Sequence, residues 1–161
     1  MDQLLDLSWQ ALKKGGSLVL GSRNRLLNAI SLNDFTQKEI DDGDIIDLLL
    51  EAIQIVKTEN INDLVGFKTA PLQKENEERE HMGVQVATRY QFTPAQLVNV
   101  LREKKFEPIE IFPIHIHGVV PKFKDRNPAI HGSISNFLQD YANNLCLVPQ
   151  SATFMVHVKK I

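Results

Sequence analysis

Three features of the 161-residue sequence predict an α/β fold. An amphipathic helical stripe stops at a glycine pair and leads straight into a short apolar segment. Two complete helix starts lie further along, and an apolar run closes the chain.

At the N-terminus Leu5, Trp9 and Leu12 recur at i, i+4 and i+7, the stripe of a helix with one buried face. Gly15-Gly16 should end it, with Lys13 and Lys14 in the last turn, where cations suit the negative end of the helix dipole. Ser17-Leu18-Val19-Leu20-Gly21 has no polar alternation, so it reads as a strand buried on both faces. In Phe35-Thr36-Gln37-Lys38-Glu39-Ile40, Thr36 is the expected N-cap, Glu39 the closing residue of the capping box, and Phe35 a staple onto Ile40. Beyond Gly43, Ile46, Leu49, Leu50, Ile53 and Val56 continue helical spacing to about Lys57.

Periodicity fades over 59–83, where Glu75 to Glu80 form a charged run that reads as a solvated loop. Val84, Val86, Thr88 and Tyr90 alternate with polar neighbours as in a strand. A second helix start follows, with Thr93 as cap, Pro94 at the first helical position and Gln96 completing the box, while Phe92 can staple to Leu97. Leu97, Val98 and Leu101 should face the core. The stretch 109–117 reads as a strand whose Pro113 demands an edge position or a bulge. Ile134, Phe137, Leu138 and Tyr141 mark a further helix, and 153–158 the final strand.

Composition narrows the function classes. With 18 basic against 20 acidic residues the net charge is −2, so no global attraction to nucleic acid or an anionic membrane is expected, and no local basic patch replaces it. The single Cys146 excludes an internal disulfide and fits a reducing, cytoplasmic setting. Cys146 lies between Leu145 and Leu147 and reads as a small buried hydrophobe rather than a nucleophile. No basic leader segment and no apolar run of membrane-spanning length is evident.

The order of helix, ALKKGGSLVLGSRN, long helical excursion, FTPAQLVNVLREKKFEPIEIFPIH, helix and TFMVHVKKI resembles the C-terminal half of a class I S-adenosylmethionine-dependent methyltransferase. In that family a Leu-Lys-x-Gly-Gly turn precedes the fifth strand and a Thr-Pro-x-x-Leu helix precedes the sixth. An antiparallel seventh strand inserts between them. Lys105-Phe106 stands where the family has Gly-Phe, and SRNRLLNAISLNDFT is closer to sugar- and lipid-biosynthetic members than to catechol or nucleic-acid types. The resemblance implies a partial Rossmann-like sheet of the last three strands, the final one antiparallel. It would form a single domain over 1–161 with a helical and loop insertion at about 34–83.

The family's cofactor features are missing. No strand is followed by a G-x-G-x-G-like loop, and no acidic residue lies about twenty positions beyond one to accept the ribose hydroxyls. Gly15-Gly16 follows a helix and precedes a strand, the reverse of the required order. The resemblance therefore implies S-adenosylmethionine held mainly by an N-terminal half outside these residues, with no cofactor-binding residue assignable here. The strand at 17–21 would lack its usual neighbour and present an apolar edge for self-association or for that N-terminal partner.

Candidate site residues cluster after the strands, since ligands of open α/β sheets bind beyond the strands' carboxyl ends. Arg23 and Asn24 can recognise a small-molecule acceptor through a guanidinium fork and an amide, or merely brace the loop. Arg89, beside Tyr90, can line the same cleft. His115 and His117, two apart on a strand, share a face and are candidate general bases for a methyl acceptor. The same pair could begin a metal site of a hydrolase, but no Asp continues an H-x-H-x-D pattern. His131 and His157 read as structural or surface residues. The expectation is therefore a small-molecule methyltransferase portion, inactive alone. The alternative is a non-catalytic subunit docking through the open edge.

Overall fold

The structure, a computed structural model, describes residues 1–72 and 90–161. The expectations for Glu75 to Glu80 and for a strand from Val84, together with Arg89, lie outside the described residues.

The chain opens with α1 (Asp2–Ala11), followed by β1 (Ser17–Arg23), α2 (Leu26–Ile30), α3 (Asp34–Asp41) and α4 (Ile45–Lys57). A short 3-10 helix at Ile61–Leu64 precedes α5 (Pro94–Glu103), β2 (Phe106–Ile116), α6 (Phe123–Arg126) and α7 (Pro128–Gln139). A second 3-10 helix, Leu145–Gln150, leads into β3 (Ser151–Lys160). The three strands form one sheet in the order β1-β3-β2. The last strand lies between the other two and is antiparallel to both, so β1 and β2 run parallel to each other.

β3 owes its central position to its own pattern: Phe154, Val156 and Val158 are all fully buried in the main core, with Leu26, Leu48, Leu97 and Leu101 packed in the same cluster. Pro108 and Pro113 are tolerated because β2 is an edge strand among the described residues, and its register shifts between Pro108 and Glu110. Of the two alternatives expected for Pro113, the edge position holds, while the irregularity falls at Pro108 and Pro113 pairs in regular register with Phe154. The first helix ends at Leu12, and the cation at its C-terminus comes from the far end of the chain. Lys160 Nζ donates to the Trp9 and Leu12 carbonyls at 2.6 and 2.8 Å and sits 3.7 Å from the Trp9 ring centroid, while Lys13 and Lys14 are exposed. Gly15, at φ 75°, makes the turn that lets its N–H reach the Lys160 carbonyl at 2.8 Å.

Four local expectations are corrected. β1 is not buried on both faces: it is an edge strand that alternates exposed and half-buried residues, with Val19 54% exposed, because only β3 flanks it among the described residues. The cap of α3 is Asn33 rather than Thr36, whose hydroxyl instead accepts from the Asn33 N–H at 3.2 Å and donates to the Asn28 carbonyl at 2.6 Å. Phe35 and Ile40 are both largely exposed, and Glu39 is drawn inward by a buried arginine. Cys146 is exposed, because the 3-10 helix turns Val148 inward and leaves Cys146 on the outside with its Sγ 3.4 Å from the Val56 carbonyl. By contrast α5 begins as its sequence predicts, with Thr93 and Gln96 forming a complete capping box and Pro94 in the first turn.

Candidate functional site

The carboxyl ends of β1 and β2 lie at the same end of the sheet, where β3 begins: Arg23 pairs with Thr153 and Ile116 with Ser151. Arg23 ends β1 and is exposed. Asn24 is buried, and its side-chain amide is fully used. Nδ2 donates to the Val148 and Ser151 carbonyls at 2.6 and 3.0 Å, and Oδ1 accepts from the Leu26 N–H at 3.1 Å. Its geometry is that of a brace between the end of β1 and the start of β3.

The next residue carries the charge inside. Arg25 is completely buried and donates from Nε and Nη2 to both oxygens of Glu39, at 3.0 and 2.6 Å. Nη2 also reaches Asp44 at 2.6 Å and Nη1 the Pro71 carbonyl at 2.5 Å. Burial alone would lower the guanidinium's pKa, but the hydrogen bonds and charges of Glu39 and Asp44 outweigh it and hold it above the usual value. Asn28 joins the network by donating to Glu39 at 2.8 Å and to Gln91 at 2.9 Å. The segment leading into α5 runs alongside the end of β1, with a parallel bridge between Asn24 and Phe92 and the Arg25 N–H donating to the Phe92 carbonyl.

Glu51 occupies the adjoining position in α4. Its Oε1 accepts the Ala95 N–H at the start of α5 at 2.8 Å, while Oε2 is buried and has no hydrogen-bond partner among the described residues. Burial pushes this carboxyl up to about 7, against the opposing effects of the Ala95 and Thr93 hydrogen bonds and the Arg25 charge. The sequence pattern of α4 gave no hint of this inward carboxylate. Its apolar stripe pointed to Ile46, Leu49, Leu50, Ile53 and Val56, yet of these only Leu49 packs against the core, the other four are about half exposed, and the helix buries Leu48, Glu51 and Ile55.

Across the site, His115 and His117 differ. The β2–β3 pairing passes from Ile114–Thr153 to Ile116–Ser151 over His115, which has a φ of 53° and is exposed. That left-handed residue interrupts the pleat on which a shared face depends. His117 is half-buried, and its Nδ1 lies 3.0 Å from Nε2 of His131 in α7. Burial, then the neighbouring His131, Lys124 and His115, hold the His117 imidazole below its ordinary value, favouring the neutral ring. His131 is buried, a position its isolated occurrence in the sequence did not reveal. Among the described residues no group of three or more His, Cys, Asp or Glu side chains is gathered to hold a metal ion.

A pocket of about 230 Å³ opens at this end, walled by Leu27 and Ile30 of α2, by His117 and by Val119, Val120 and Pro121. A second cavity of about 360 Å³ lies at the opposite end of the sheet, between α1 and the end of α5, with Asp6, Trp9 and Lys104 on its walls.

Gly118 is the glycine that follows β2 and precedes a helix, but a Cβ there would meet Ile134 at 2.4 Å and Leu138 at 2.9 Å, so its open side is filled by α7 and not left for a ligand. Gly15 and Gly16 join α1 to β1. Among the described residues no helix is long and apolar enough to cross a membrane. Comparison with protein-family models and with curated proteins finds no match.

Proposed function

We propose that this chain is the acceptor-side portion of an S-adenosylmethionine-dependent methyltransferase that acts on a small molecule. The observation that carries this reading is the sheet order β1-β3-β2, with the last strand inserted antiparallel between two parallel strands. That is the arrangement implied for the last three strands by the sequence resemblance. The long helical excursion between β1 and β2 also falls where the resemblance puts it.

The acceptor site is the cluster at the strand ends: exposed Arg23 for a polar or anionic substituent, and the pocket beside His117 for the body of the molecule. Asn24 and the Arg25–Glu39 pair hold the walls in place. The cofactor cradle comes from residues outside this chain, either a continuation or a second polypeptide, and the chain alone is inactive. Its location is cytoplasmic.

The competing reading, a non-catalytic subunit, draws on the outer edge of β1, which no strand among the described residues covers, and on the exposed apolar stripe Ile46, Leu50 and Ile53 of α4, both suited to docking.

Calorimetric titration of the isolated chain with S-adenosylhomocysteine, alongside its solution mass, tests the proposed division of labour. The chain alone is expected to bind no cofactor at micromolar concentration and to self-associate. Micromolar binding would show a complete cofactor site and overturn the assignment of the cradle to other residues.

A further inference from the structure

α7 is held on the end of β2 with very little apolar burial. Of its twelve residues His131 alone is buried, while Ile134 and Leu138 are half-buried and Ile130 and Phe137 are 54% and 62% exposed. Ile134 and Leu138 close over Gly118, and the Ser135 hydroxyl donates to the Ile116 carbonyl at 2.8 Å. The buried contact of the helix is a pair of imidazoles, with Nδ1 of His117 3.0 Å from Nε2 of His131. Two facing ring nitrogens form a hydrogen bond only when one carries a proton and the other a lone pair. Two neutral rings in suitable tautomers meet that condition, and so does one neutral ring facing one charged ring. Two charged rings do not: each then presents an N–H, and the bond gives way to opposed donors and like charges.

We propose that the His117–His131 pair is an acid-sensitive latch, which keeps α7 on β2 while the pair carries at most one positive charge and releases it when both rings are charged. Release uncovers Gly118 and adds Ile134 and Leu138 to the apolar side chains Ile130, Phe137 and Tyr141 already exposed on and just beyond α7. Nothing around the pair offsets a second charge. Burial first, then His131, Lys124 of α6 and His115 of β2, oppose a proton on His117. Glu110, Asp125 and Asp140, the acids that flank the pair in sequence, form no ion pair with either ring among the described residues. Neither α2 nor the 3-10 helix Leu145–Gln150, which meet this end of the sheet, contains a carboxylate. The direction follows from linkage. A histidine that binds its proton less tightly in the latched state than in the released one favours release as pH falls. The latch is therefore full above about pH 6.5, the ordinary histidine value, and weakens below it.

The latch does not depend on the methyltransferase reading and is testable without cofactor or acceptor. Amide hydrogen exchange of the full chain at about pH 7.5 and about pH 5, corrected for the intrinsic pH dependence of exchange, compares α7 with α5 as the internal reference. The expected result is a roughly tenfold loss of protection in α7, the effect of a one-unit difference in histidine pKa between the latched and released states. Over the same range α5 should hold or gain protection, because Glu51, bonded to the Ala95 N–H at its start, takes up a proton as pH falls. His131→Phe, which leaves no second ring to charge, should make the protection of α7 independent of pH. Whether or not that variant folds, the unmodified chain decides. Unchanged α7 protection would overturn the proposal, even with ring ¹⁵N shifts showing both histidines charged, since the rings would then part without moving the helix. Equal loss in α7 and α5 would overturn it as well, because it marks general acid unfolding.

Discussion

At the residue scale, the polar interior is decided by pairs far apart in sequence. Arg25 and Glu39 satisfy each other with two hydrogen bonds, yet Glu39 sits in a motif that favours its use as a capping residue, and nothing local ties it to a position fourteen residues earlier. Asn24 was legible as either an acceptor contact or a loop brace, and its amide is bonded to backbone as a brace. Removing one partner of a buried pair leaves an uncompensated charge, so Arg25→Met should cost about 3–5 kcal/mol. Arg25→Met combined with Glu39→Leu should cost less than Arg25→Met alone, as measured by denaturant unfolding. Glu51 gives the opposite kind of test. Its folded carboxyl titrates at about 7 rather than 4.5, so the folded state holds the proton more tightly than the unfolded chain. Stability from this group therefore falls as pH rises from about 4.5 to about 7 and is flat beyond. Glu51→Gln should remove that loss, worth about 3 kcal/mol at pH 8, and unfolding at pH 5 and pH 8 should show the variant less sensitive to pH than the parent.

Among the elements, helix starts were the most readable because their signals are local. Thr93, Pro94 and Gln96 act within four residues, and the structure builds the box they describe. Thr93→Ala should lower stability by about 1 kcal/mol in thermal or denaturant unfolding, since it leaves the Gln96 N–H without its cap. At α3 the existence of the helix was legible and its first residue was not: Asn33 outcompetes Thr36 because its carbonyl reaches both the Phe35 and Thr36 N–H groups. The orientation of α4 was not legible either. A helix apolar on more than one side can turn either face inward, and here the Glu51 bond to the start of α5 accompanies the inward turn of Leu48 and Ile55. The length and apolar run of β1 were legible, but its burial depended on neighbours that the strand does not encode.

For the whole molecule, β1 is the unfinished boundary. Its composition suits a strand with neighbours on both sides, and among the described residues only β3 supplies one. An edge of this kind promotes strand addition. Val19→Glu, placed on the exposed face of β1, should shift the isolated chain toward the monomer in sedimentation velocity without loss of secondary structure, because Val19 is already half exposed in the fold. Unchanged assembly would show that association does not use this edge. The candidate site was partly legible at this scale: the rule that ligands sit beyond strand carboxyl ends led to Arg23 and His117. The partnership of His117 with His131 required α7 to fold back onto β2, which no spacing in the sequence announces.

On the proposed reading, β1-β3-β2 is completed by residues outside this chain into a cofactor-binding methyltransferase sheet. The most direct measurement is to tag the chain in its own cells, isolate it gently, and determine both the composition of the recovered species and its affinity for S-adenosylhomocysteine. The expected result is a larger species, a longer polypeptide or a complex, that binds the cofactor product where the isolated chain does not. Recovery of a stable 161-residue monomer that binds none would contradict it.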